Sequence, residues 1–249
     1  MFYNREVKPL SDTWGVSGKI TVNAILNSLD DVAMQHAELT GDDVLERSKN
    51  AVNWVMTGWD IRILNLPKNN EEYKIKTWVN SNIGALSSTR EFLLMDTAGN
   101  PCVKAQAYIS ILDLVRNRPV RFSDTDLARY QPEPDTVIEV PVKKIAAPKE
   151  FIAEKTLVVR RSDIDFNMHV HNTTYLTLAM EVLPEELYKE QNFQAIRINF
   201  KKALVLDDVA TIKLAQTEQG YIVAIYKEEQ LCCLVEFVLR WYFNLTFYS

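Results

Sequence analysis

Twice along its 249 residues the chain runs through the same order of elements, a helix and then a set of strands, and this repetition narrows the folds open to it more than any single motif does. In the first copy Thr21 reads as a helix N-cap, with Val22, Ile25, Leu26, Leu29, Ala33 and His36 at helical spacing behind it and Gly41 as a stop. A short helix is expected over 42–49. The runs AVNWVMTGWDIRIL, EYKIKTWVNS, LSSTREFLLMD and CVKAQAYISILDLV follow, rich in β-branched and aromatic residues, with DTAGN as a hairpin turn between the last two. Residues 116–121 read as a basic loop and 122–130 as a short helix. Residues 131–150 hold Pro132, Pro134, Pro141 and Pro148 without a glycine, which marks an ordered connector. The order then returns: KTLVVRR as a strand, a helix over 173–183 that PEELYKE extends after a break at Pro184, and the strand runs QAIRINFKKALVL, VATIKLAQ, YIVAIYKE and LCCLVEFVLRWYF. Short links favour an antiparallel meander wrapped around each helix. The expectation is therefore an α+β protein of two tandem units, 1–130 and 151–249, joined by 131–150.

Charge and cysteine usage exclude several classes. A formal net charge of −5 argues against a general nucleic-acid binder. MFYNREVKPL is too charged for a signal peptide, and LRWYFNLTFYS falls short of the roughly 20 apolar residues that span a bilayer, so no membrane association and a cytoplasmic location are expected. Cys102, Cys232 and Cys233 are odd in number and form no CxxC pair; they read as packing residues in a reducing compartment. His36, on or beside the apolar stripe, reads as a hydrogen-bonded core histidine. Without GxSxG, GxGxxG or a P-loop, neither a serine nucleophile of the α/β-hydrolase kind nor a nucleotide cofactor is indicated, and no cofactor is expected.

The densest chemistry lies in SDIDFNMHVHNTTY, residues 162–175, which holds two of the three histidines. Asp165, Asn167 and His169 recur at every second position, so an extended segment would send an acid, an amide and an imidazole to one face. His171 lies in phase with them, and His171 and Asn172 are accessory candidates. A metal site at His169 and His171 lacks a third ligand. Asn172 or Thr173 can cap the following helix, whose free N–H groups would suit an oxyanion. The counterpart before the first helix, SDTWGVSGKIT, lacks the acid, amide and imidazole series, so the second unit supplies the polar groups and the first helps to enclose the substrate.

The run SDIDFNMHVHNTTYLTLAMEVLP resembles the active-site segment of the acyl-acyl-carrier-protein (acyl-ACP) thioesterases of plants and bacteria, approximately SDxDxNxHVNNxxYxxWxxExxP. ILNSLDDVAMQHAELTG and AVNWVMTGWDIRI resemble that family's first helix and the strand after it. The resemblance implies a double hotdog fold and hydrolysis of the thioester between a fatty acyl chain and the carrier's phosphopantetheine arm, with Asp165, Asn167 and His169 at the catalytic positions. It makes acyl carrier protein the expected partner, for which Arg116, Arg118, Arg121, Lys143, Lys144, Lys149, Arg160, Arg161, Lys201 and Lys202 are steering candidates. Trp54, Met56 and Trp59, with the first helix, are candidates to line an acyl channel. Hotdog proteins allow a homodimer, although a tandem chain already holds the usual pair of units. Two departures from the family stand out. His171 replaces a second Asn, and Ala203 stands where the family's later strand carries a Glu implicated in activating water, with Leu204 in place of the following Cys or Val. The expected mechanism is direct water attack with Asp165 and His169 as base, Asn167 holding water or carbonyl, and no covalent intermediate. The alternatives are a catalytically impaired acyl-ACP binding protein, which Ala203 favours, and a hotdog dehydratase or hydratase, which would want its acid and histidine on opposite walls.

Overall fold

The computed structural model describes all residues except 44–51, 69, 82–85, 114, 117, 122–127, 140–143 and 241–249. The long helix α1 (Val22–Leu39) starts where Thr21 Oγ1 accepts the Ala24 N–H at 3.1 Å, and Gly41 follows it at φ +73°. Its spacing buries Val22, Ile25, Leu26, Leu29, Val32 and His36 against the sheet.

Among the described residues eleven strands form one sheet: β1 (Tyr3–Val7), β2 (Val52–Ile63), β3 (Tyr73–Val79), β4 (Ser88–Met95), β5 (Pro101–Asp113), β6 (Arg118–Val120), β7 (Ala153–Val158), β8 (Phe193–Phe200), β9 (Val209–Thr217), β10 (Gly220–Lys227) and β11 (Gln230–Leu239). Their order is β1-β3-β4-β5-β2-β8-β11-β10-β9-β7, with β6 beside β5, and neighbouring strands run antiparallel. The order corrects the simple meander. β3, β4 and β5 are consecutive neighbours, as are β9, β10 and β11, but β2 and β8 cross over to pair with β5 and β11 and with each other. They are the most central strands, and joining there buries the edge each half-sheet would otherwise expose. Two strands were not anticipated: β1, a mostly exposed edge, and β6, within the basic loop.

The helices of the second half are shorter than expected. Helix α2 (Thr174–Met180) stops before Pro184, and α3 (Glu185–Glu190) is separate from it. Leu26 and Leu29 of α1, Leu176 and Ala179 of α2, and Trp59, Phe92, Phe193 and Phe237 of the sheet share one core. At the seam Asp60 of β2 lies opposite Arg197 of β8, and Arg197 is ion-paired with Glu236 of β11. The connector bridges both halves: Ile145 packs with Ile222, Ala224 and Leu234 of the second half's sheet, and residues 135–137 lie on the first half's. Buried Glu91 accepts the Val137 N–H at 3.0 Å, and Trp78 Nε1 donates to the Asp135 carbonyl at 2.8 Å. The expected helices over 42–49 and 122–130, and the apolar tail, fall largely outside the described residues.

Candidate active site

Two loops of identical construction precede α1 and α2. In the first, Gly15 N–H donates to Lys19 O at 2.8 Å, Gly18 N–H to Gly15 O at 2.9 Å and Thr21 N–H to Thr13 O at 3.1 Å. In the second, Asp165 N–H donates to His169 O at 2.8 Å, Met168 N–H to Asp165 O at 3.0 Å and His171 N–H to Asp163 O at 2.9 Å. The pairs Trp14 with Ile20 and Ile164 with Val170 bridge them alike. One backbone is thus written twice, 150 residues apart, with Gly15, Ser17, Lys19 and Thr21 at the positions of Asp165, Asn167, His169 and His171. Even the left-handed corner recurs, at Gly18 (φ +72°) and Met168 (φ +61°), although Met168 takes it at a steric cost.

This geometry corrects the extended segment expected from alternation. Residues 165–169 are a tight turn, because Asp165 Oδ1 accepts the Asn167 N–H at 2.8 Å and the His169 N–H at 3.4 Å. Asp165 therefore holds the backbone of His169 and not its ring. Asn167 and His169 are exposed at the tip, and Asp165 is half-buried. Among the described residues neither exposed side chain makes a hydrogen bond, which leaves both open to a ligand.

The start of α2 also differs from expectation, since no side chain caps it. Asn172 is half-buried and makes no side-chain hydrogen bond among the described residues. Thr173 Oγ1 turns to His171 Nδ1 at 2.9 Å, and the Thr173 N–H points to the same nitrogen at 3.4 Å. The Thr174 N–H goes to His171 O and the Leu176 N–H to Thr173 O, so these backbone donors are already taken. With Nδ1 accepting from a backbone N–H, the proton of neutral His171 sits on Nε2. That nitrogen lies 3.5 Å from Asp30 Oδ2, on α1 of the other half. Burial pushes the Asp30 carboxyl above the usual range, opposed by the charges of His171 and Arg90 and assisted by Asp31 and Asp165. Reading α1 by its apolar stripe passed over Asp30. Its sequence signal, two adjacent acids beside a buried face, carried no hint of His171.

Neighbouring groups are committed elsewhere. Burial works to raise the Asp163 carboxyl, but hydrogen bonds and charge from Arg160 hold it below the ordinary range; Arg160 Nη2 donates at 2.9 Å. Asp208, near the missing glutamate in sequence, accepts from Lys227 Nζ at 2.6 Å and from the Val205 N–H at 2.9 Å. Ala203 is exposed beside the loop, since Val170 N–H donates to Leu204 O at 2.9 Å. All three cysteines are buried, which raises their thiols and removes them as nucleophiles. Of the basic set, Arg116 is held by Asp113 and Arg160 by Asp163, while Arg161, Lys201 and Lys202 are exposed near the loop. Trp59 is buried against Phe92, with ring centroids 5.2 Å apart.

Residues 1–130 match the family model of the acyl-ACP thioesterase N-terminal domain, and residues 146–236 match that of the C-terminal domain. The chain belongs to the acyl-ACP thioesterase family. Among curated relatives of this acyl-ACP thioesterase family member, oleoyl-acyl carrier protein thioesterase 2 of Arabidopsis thaliana is 24% identical over 213 residues, 78% of this chain and 58% of the relative. The dodecanoyl-[acyl-carrier-protein] hydrolase of Cinnamomum camphora is 21% identical over 84% of this chain and 59% of its own. The chain thus spans somewhat over half the length of these relatives. An acyl-ACP thioesterase structure from Bacteroides thetaiotaomicron superposes with a TM-score of 0.83 at 20% identity, covering 95% of this chain and 97% of that one. The 12:0-ACP thioesterase of Umbellularia californica gives 0.85 at 15% identity, with 96% and 97% covered. With these neighbours and one antiparallel sheet carrying few helices, the fold is the double hotdog.

Proposed function

We propose that this family member hydrolyses fatty acyl-ACP thioesters, releasing free fatty acid and carrier protein by direct attack of water. The observation that carries the reading is the match of both halves to the family's two domains, with the open Asp165–His171 turn in the second. A thioester needs a water deprotonated as it attacks, an oxyanion stabilised and a thiolate released. Asp165 fixes the turn through backbone N–H groups. Exposed Asn167 then offers an amide N–H to the carbonyl oxygen as charge develops, and exposed His169 reaches the same centre. Arg161, Lys201 and Lys202 flank the turn with positive charge suited to an acidic carrier.

Fatty acid release from dodecanoyl-, palmitoyl- and oleoyl-ACP tests this. The native chain should turn over at least one of them, and His169→Ala should lower kcat about 10²-fold. Ala203 supports a second reading, an acyl-ACP binding protein with impaired chemistry. Binding without turnover, with turnover gained by Ala203→Glu, would favour that reading over the first.

A further inference from the structure

Of the aspartates beside the second loop, Asp163, Asp208 and Asp165 each have a side-chain oxygen already engaged. Asp163 is gripped by Arg160, Asp208 by Lys227, and Asp165 spends Oδ1 on two backbone N–H groups. Asp30 makes no hydrogen bond among the described residues. Its side chain is 17% exposed, so it lacks the hydration of a surface acid. What faces it is His171 Nε2, whose ring is oriented from behind by Thr173. The two side chains come from opposite repeats, and each stands at a position whose counterpart cannot repeat the pair: Thr21 replaces the histidine and Met180 the aspartate.

We propose that Asp30 is the general base of the thioesterase reaction, supplied by the first repeat in place of the carboxylate absent at Ala203, with His171 as its positioning residue. The inference rests on the hydrolase reading above. As the water oxygen bonds to the acyl carbon, its proton passes to the Asp30 carboxylate, and the carbonyl oxygen becomes the oxyanion. When the C–S bond breaks, the carbonyl reforms, the electron pair leaves on sulfur, and the Asp30 proton neutralises the thiolate. A carboxyl disfavoured as an anion by burial is a stronger base than a surface aspartate, while the imidazole keeps it from being permanently protonated. His169 and Asn167 remain free to hold the carbonyl.

The test compares the native chain, Asp30→Asn, His171→Asn and Asp30→Asn/Ala203→Glu on the same three carriers, from acid to neutral pH. Asp30→Asn should lower kcat about 10²-fold with KM changed less than about two-fold, and should abolish the acid limb of the pH profile. His171→Asn should move that limb to higher pH, since Asp30 loses the charge that favours its anion while Arg90 still lowers and Asp31 and Asp165 still raise it. Ala203→Glu should restore part of the rate lost with Asp30. Carbon-13 titration of the aspartate carboxyls gives a readout free of turnover: one should titrate above the surface set and move further up in His171→Asn. Thermal unfolding separates a failure to fold, because removing a carboxylate that the fold disfavours as an anion should leave Tm at neutral pH unchanged or higher. An active native chain whose Asp30→Asn variant keeps its kcat and acid limb would overturn the base assignment and leave the hydrolase reading standing. A lost rate accompanied by a lowered Tm would overturn it in favour of a structural role. No turnover by the native chain on any carrier would overturn both.

Discussion

At the scale of single residues, the chain treats its three histidines differently. His36 is fully buried, its Nδ1 2.9 Å from Arg90 Nη1 and its ring stacked on Tyr3. Burial, the Arg90 charge and the N-terminal ammonium push its pKa from 6.5 down to about 3. A guanidinium can only donate, so Nδ1 accepts and the folded ring stays neutral. Between about pH 6.5 and 3 the unfolded chain therefore binds a proton that the folded chain refuses, and stability falls as the solution is acidified. From pH 7 to pH 5 this one group should cost about 2 kcal/mol. Urea unfolding at the two pH values should show that loss in the native chain and a correspondingly smaller one in His36→Gln; equal losses would mean that His36 is protonated in the fold. His171 has its nitrogens occupied by Thr173 and Asp30, and His169 meets solvent, so one residue type is found buried in the core, paired across the two repeats and exposed at a loop tip.

At the scale of elements, the seam between β2 and β8 decides whether two half-sheets become one. Gly58 lies beside the register shift in β2, where a Cβ would stand 2.4 Å from the Ile198 carbonyl oxygen of β8. A backbone atom cannot swing aside as a side-chain end does, so Gly58→Ala should destabilise by about 1–3 kcal/mol. The variant should show a lowered Tm, whereas Gly99→Ser at the open β4–β5 turn should lose less because only its backbone conformation is strained. An unchanged Tm in Gly58→Ala would mean the strands can separate locally without cost. Much of this layout is legible in the sequence where local rules govern. Thr21, the apolar spacing and Gly41 bound α1 because capping and helical periodicity are short-range, and Asp96 with Gly99 writes the β4–β5 turn. What stays hidden depends on partners. β1 is an edge whose exposed residues show no alternation, and β2 pairs with β5 and β8 although β3 follows it in the chain. The motif itself misleads in one respect: alternate polar residues suggest a strand, but Asp165 bends the backbone by accepting its N–H groups. Asp30 and His171 meet only because two repeats pack face to face, and no local spacing encodes that.

For the molecule as a whole, a backbone written twice raises the question of whether it carries two sites. The first loop faces the second half as the second loop faces α1. Its polar groups, however, satisfy one another: Lys19 pairs with Glu190 at 2.8 Å, Gln191 Oε1 accepts the Val22 N–H at 2.9 Å, and Thr21 caps α1. A cavity of about 550 Å³ does open there, lined by Lys19, Leu66, Phe193 and Arg240 among others. Arg240 is already turned to the Ile63 and Leu64 carbonyls at 2.8 Å. Helix α2 has 7 residues against 18 in α1, and its last residue, Met180, stands at the repeat position of Asp30. Among the described residues this end of the molecule has the cavity but no unpaired carboxylate and no imidazole lining it. On the reading proposed above, the site is divided between the halves: the first contributes the helix with its aspartate, the second the loop with its amide and imidazoles. Calorimetric titration with an acyl carrier whose thioester sulfur linkage is replaced by a stable amide should accordingly saturate at one carrier per chain. Lys19→Ala should alter neither that stoichiometry nor kcat, because its ammonium serves Glu190 alone among the described groups. Two equivalents bound per chain, or a second phase lost in Lys19→Ala, would show that the first loop has kept a function which its internal pairing argues it has given up.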